Sequence, residues 1–103
     1  MAWSWHRARS WPINNAGELK SRTKRFALDV LSLRRTLPAT DEAADIGRQL
    51  SRSATGVAAN YRAACQSRSD AKFAARVGVV LEEADESAFW MEVLTEGGIS
   101  KEI

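Results

Sequence analysis

The sequence predicts an all-α fold, an antiparallel up-and-down helical bundle, and three observations carry that expectation. Apolar residues recur at alternating steps of three and four along three separate stretches. Only two prolines, Pro12 and Pro38, and six glycines interrupt 103 residues rich in alanine, leucine, arginine and glutamate. No segment sustains the period-two alternation of a half-buried strand. The chain divides into an irregular N-terminal arm (1–16), a helical bundle domain (17–98) and a short tail (99–103). A single domain of that size buries a modest core, so added subunit contacts would contribute much to its stability.

The first helix is predicted over Gly17 to Leu37. Leu19, Thr23, Phe26, Val30, Leu33 and Leu37 fall within an arc of roughly 80° when projected at about 100° per residue, a heptad-like seam. Asn14 or Asn15 caps its start. Pro38 ends it, because proline disfavours helical geometry in the residue before it. Thr40 or Asp41 caps the second helix, with Asp41, Glu42 and Asp45 near its positive end. Ile46, Leu50, Ala54, Val57, Tyr61 and Cys65 form its apolar line, while Arg48, Arg52 and Arg62 project to the opposite side. Ala54, Gly56, Ala58, Ala59, Ala63 and Ala64 make this helix slim. Gly56 costs roughly 1 kcal/mol in helix propensity against alanine, which close packing by a neighbour would offset.

Ser67 or Ser69, reinforced by Asp70, caps the third helix. Phe73, Val77, Val80, Leu81, Ala84, Ala88, Met91 and Leu94 line one face, and Glu82, Asp85, Glu86, Glu92 and Glu96 the other. Gly97-Gly98 stops it.

Net charge is only +2, but it is unevenly spread. From Met1 to Arg76 there are 14 Lys/Arg against 6 Asp/Glu, and from Val77 onward 1 against 7. A basic surface for nucleic acid produces such asymmetry. So do helices of opposite charge lying side by side, within one bundle or between subunits. The one cysteine, Cys65, excludes an intrachain disulfide and fits a reducing cytoplasm. No apolar run approaches the length of a membrane span, and the arm lacks the apolar core of a signal peptide. Trp3, Trp5 and Trp11 sit in that arm without period, as an extension or as an anchor for a partner or membrane.

Material for catalysis is scarce, so no enzyme is expected, no catalytic residue is assigned, and no metal or cofactor is implied. The one histidine, His6, lies in the arm, which leaves no Ser/His/Asp triad or histidine-based metal site in the helices. Nor does any phosphate-cradling glycine loop occur. Glu82, Glu83, Asp85 and Glu86 cluster, but carboxylate-bridged metals in bundles also need Glu-x-x-His partners, which are missing. Glu83 flanks the apolar stripe, where it could pair with an arginine at a helix seam. Cys65 reads as a small buried residue rather than a nucleophile. The row Arg48, Arg52 and Arg62, with Arg68 just beyond, is the most function-like feature. Guanidinium groups so arranged engage phosphates in a sequence-tolerant, salt-sensitive way.

The segment GRQLSRSATGVAANYRAACQSRSDAKF (Gly47 to Phe73), followed by VGVVLEEADESAFWMEVL (Val77 to Leu94), resembles the bacterial four-helix bundle proteins encoded within intervening sequences of 23S ribosomal RNA genes. Gln49, Leu50, Arg52, Ser53, Thr55, Ala59, Asn60 and Tyr61 match the family's Q-L-x-R-S-x-T-S-I-x-A-N-Y line. Ser69, Phe73, Glu83, Glu86, Trp90 and Leu94 match the part that follows. Gly56 departs from the usual serine, and Glu82 from the common lysine. The family's fourth helix should follow Gly97-Gly98, so the expected bundle is of the four-helix type with that helix missing or truncated. The resemblance implies a homo-oligomer, in several members a pentamer, without assigned activity. A related branch, accessory to reverse transcriptases of diversity-generating retroelements, binds nucleic acid and a protein partner. Arg48, Arg52, Arg62 and Arg68 would contact RNA or a nucleoprotein here. Asn60, Tyr61, Glu83, Glu86 and Trp90 would hold the fold or the subunit contacts.

Overall fold

The computed structural model describes residues 15–101; residues 1–14 of the arm, with its tryptophans, His6 and Asn14, lie outside them, while Asn15 and Ala16 open the first helix. Three helices account for most of this stretch: α1 (Asn15–Arg35), α2 (Asp41–Ala64) and α3 (Asp70–Glu96). Among the described residues there is no strand. The fold class is therefore all-α, a bundle of three helices.

Local chemistry sets the helix ends. α1 stops at Arg35, two residues earlier than expected, where the chain tightens through Thr36 N–H donating to the Leu33 carbonyl at 2.9 Å and Leu37 N–H to the Arg34 carbonyl at 3.2 Å. Leu37 still packs against the core from this turn. Of the alternative caps, Thr40 serves α2, its hydroxyl accepting from Ala43 N–H at 3.2 Å. Ser69 serves α3, accepting from Lys72 N–H at 3.1 Å. Each satisfies one of the amide groups that a helix start leaves without an intrahelical partner.

At the far end, Gly98 takes φ of +71°, a left-handed conformation that favours glycine. Ile99 N–H then donates to the Leu94 carbonyl at 2.9 Å and Gly98 N–H to the Thr95 carbonyl at 3.1 Å. These are the paired bonds of a Schellman ending, and Ile99 folds back onto the core beside Leu94, as that ending favours.

α2 is the central element. Both α1 and α3 pack along it in antiparallel sense, and their backbones do not approach each other. The buried cluster Val30, Leu50, Ala54 and Leu94 takes one residue from each outer helix and two from α2, so the three helices meet over the α2 apolar line. Leu50 and Leu94 are fully buried, each burial stabilising by about 1.5–3 kcal/mol. Small residues let the outer helices approach closely. A Cβ on Gly47 would stand 3.1 Å from Leu37 Cδ1 and 3.3 Å from Arg34 Cγ, and Arg34 reaches over to donate to Ser51 Oγ at 3.3 Å.

The broad stripe expected on α3 is only partly covered. Leu94 is buried and Phe73, Val77, Val80, Ala88 and Met91 are half-buried, but Ala84 is exposed and Leu81 is 65% exposed. Leu81 stands about 140° round the helix from Leu94. Because the α3 backbone approaches only α2, one edge of its stripe is left uncovered. Leu19, expected at the α1 seam, is likewise 42% exposed.

Candidate functional site

Two regions collect the candidate residues: the α2/α3 seam and the outer side of α2. The seam is unusually polar. Ser53 and Ser87 are both fully buried, with Ser87 Oγ 2.8 Å from Ser53 Oγ and 2.9 Å from the Glu83 carbonyl oxygen. Ser53 Oγ donates to the Leu50 carbonyl at 3.1 Å. Further along, Asn60 Nδ2 donates to the Gly56 carbonyl at 2.9 Å, and its Oδ1 accepts from Arg76 Nη1 at 3.2 Å. Asn60 thus ties α2 to α3 directly. Tyr61 is buried beside it, and burial pushes its phenol up to about 12, with the hydrogen bond to Cys65 and the charge of Cys65 adding to the effect.

Glu83 does not pair with an arginine among the described residues. Its half-buried side chain lies against Gly56, in the space a larger residue would fill. Arg76, about two turns earlier on α3, instead donates to Asn60. Glu86 lies about one turn and Trp90 about two turns beyond Glu83, with Trp90 Nε1 donating to Glu86 Oε1 at 3.4 Å and Phe89 edge-on to Trp90 at 4.9 Å between ring centroids. Asn60 and Glu83 therefore gather at the seam and Tyr61 is buried on α2 with Cys65 as its partner, while Glu86 and Trp90 interact with each other on α3.

The outer side of α2 carries the arginines. Arg48 and Arg52 are exposed, Arg48 forming an ion pair with Asp45 at 3.0 Å. Arg62 is exposed and lines a groove between α1 and α2 of about 530 Å³ with Lys20 and Lys24. Its floor includes Ala27, Leu31, Ala58 and Ala59. Arg68 sits apart from the arginine row, in a depression of about 620 Å³ between α2 and α3 that Lys72 and Arg76 also line. No Asp or Glu is among the residues lining either concavity.

Lys20, Lys24, Lys72 and Arg76 escaped sequence reasoning, because their grouping depends on which helix faces pair. Helical projection of each segment alone supplies no such pairing.

Among the described residues, no three His, Cys, Asp or Glu side chains gather as a metal site, and no helix is long and apolar enough to cross a membrane. No curated protein and no solved structure gives a significant match. The polar α2/α3 seam coincides with the segments that resemble the bacterial four-helix bundle proteins, and the likeness extends well beyond them. Residues 18–102 match the family described as 23S rRNA-intervening sequence protein, and the chain belongs to that family.

Proposed function

We propose that this protein is a non-catalytic helical bundle of the cytoplasm that self-associates and binds RNA, alone or within a nucleoprotein, through the outer side of α2. The observation that carries the reading is the pair of concavities flanking that side. One gathers Lys20, Lys24 and Arg62, the other Arg68, Lys72 and Arg76, and neither is lined by a carboxylate. Arg52 stands on the same helix about one turn before Thr55, the first α2 residue at the groove, and is exposed to solvent. Cations left without acidic partners attract phosphates and release bound counterions when they meet them. The reading assigns little weight to Arg48, which Asp45 already partly neutralises.

Filter binding of RNA at rising salt tests it. Binding is expected to weaken steeply with salt. Replacing Arg52, Arg62 and Arg68 with alanine should flatten that slope by about 0.7 for every single-strand phosphate that the variant no longer neutralises. Retention that ignores both salt and the three substitutions would overturn RNA binding.

A second reading, a purely structural protein–protein module, is favoured by the large apolar side chains Leu28, Leu81 and Phe89 that the subunit leaves exposed. It predicts self-association without RNA affinity at any salt. The pentamer that the resemblance implies belongs to either reading, and light scattering measures it directly.

A further inference from the structure

The uneven charge of the chain becomes a polarity of the folded molecule. α1 exposes Lys20, Arg22, Lys24 and Arg25, whereas α3 exposes Glu82, Asp85, Glu86, Glu92 and Glu96. These two helices lie on different sides of α2 and their backbones do not meet. Arg25 pairs with Asp29 and Arg48 with Asp45, each within a single helix. The basic α1 surface and the acidic α3 surface therefore do not neutralise each other inside the subunit.

Each of these surfaces also exposes large apolar side chains. Leu28 is 45% exposed on α1, at the groove that Lys20 and Lys24 border. Leu81 and Phe89 are 65% and 53% exposed on α3. Projected at about 100° per residue, Leu81, Glu82, Asp85 and Phe89 share the side of α3 turned away from Leu94. An apolar pair flanked by carboxylates on one surface thus matches an apolar groove flanked by ammonium groups on the other.

We infer that the α1/α2 groove receives the outward face of α3 from a second copy of this chain, with Phe89 and Leu81 over Ala27, Leu28 and Leu31, and Glu82 and Asp85 beside Lys20 and Lys24. The inference rests on the self-association proposed above and specifies its surfaces; it takes the groove with Lys20 and Lys24 out of the RNA surface and leaves to RNA Arg52 and the depression lined by Arg68, Lys72 and Arg76. The two surfaces differ, so the contact is head-to-tail. Every added copy presents a free groove at one end and a free α3 face at the other, and assembly continues until a ring closes or a filament grows. Charges at the edge of the contact make it sensitive to salt, while the apolar centre supplies affinity.

A charge-swap experiment on the full chain tests this. One variant carries Lys20→Glu and Lys24→Glu, the other Glu82→Lys and Asp85→Lys; all four positions are exposed, and circular dichroism confirms that each variant keeps its helices. Each variant alone should associate at least about tenfold more weakly than the parent in light scattering, because like charges then meet across the contact. Mixed in equal amounts the two should reassociate, since every groove–α3 contact between unlike variants is again of opposite sign; a ring of five would keep one contact between like copies, an even ring or a filament none. A parent chain that stays monomeric overturns both the inference and self-association. A parent that associates while either variant does so equally well overturns the inference and leaves self-association standing. Variants that dissociate and stay apart when mixed also overturn it.

Discussion

Glu83 of α3 lies against Gly56 of α2, its carboxylate end in the volume that a Cβ at position 56 would need. The Cγ of Glu83 would be 3.3 Å from that Cβ, so the acid must swing away before any larger residue fits. A glycine in mid-helix and a half-buried acid on the facing helix are thus two halves of one packing arrangement.

Their coupling is measurable. Gly56→Ala alone gains helix propensity of about 1 kcal/mol but displaces Glu83. In a Glu83→Ala background the same substitution meets no acid and should stabilise by the full amount. A double-mutant cycle in urea is expected to give an interaction energy of about 0.5–3 kcal/mol, whereas additive effects would show that the two residues are independent.

The buried serine pair makes a second expectation. Ser87 and Ser53 leave room for a hydroxyl contact at 2.8 Å and little else. Ser87→Ala should cost about 1 kcal/mol, as Ser53 keeps its bond to the Leu50 carbonyl. Ser87→Val overfills the seam and should cost about 1–3 kcal/mol. Equal thermal midpoints for the parent and the valine variant would contradict this packing.

Tyr61 predicts a pH response. Its folded pKa of about 12 stands above the ordinary value of 10.0. Above pH 10 the unfolded chain releases the phenolic proton while the fold retains it, so stability is unaffected by this group below 10 and declines as pH rises toward 12. Tyr61 is the sole tyrosine, which lets tyrosinate absorbance follow its titration. Tyr61→Phe should show a shallower loss of thermal stability over the same window. A phenol titrating near 10 in the folded protein would refute the burial argument.

Much of this architecture could be read from residue order. Steps of three and four mark the helices, Pro38 and Gly97-Gly98 their limits, and Gly56 the close approach that Glu83 fills. Leu81 shows where such reading stops. Periodicity places it at the edge of an apolar stripe, but whether an edge is covered depends on how many neighbours the helix has. Residue order points Glu83 toward an arginine; the missing Cβ at Gly56 and the engagement of Arg76 by Asn60 direct it elsewhere. Lys20 and Lys24 meet Arg62 only because α1 and α2 pack antiparallel, a relation that no single segment contains.

The order in which the helices touch one another bears on how the chain folds. Close backbone approach joins only consecutive helices, so few loops of long closure entropy must form before packing begins to stabilise the chain. Low contact order of this kind accompanies folding in microseconds to milliseconds. Either outer helix can detach while the remaining pair stays packed, whereas loss of α2 dissolves everything. Amide exchange should accordingly be slowest in the middle of α2 and faster in α1 and α3; uniform protection across all three would mean that the helices open only together.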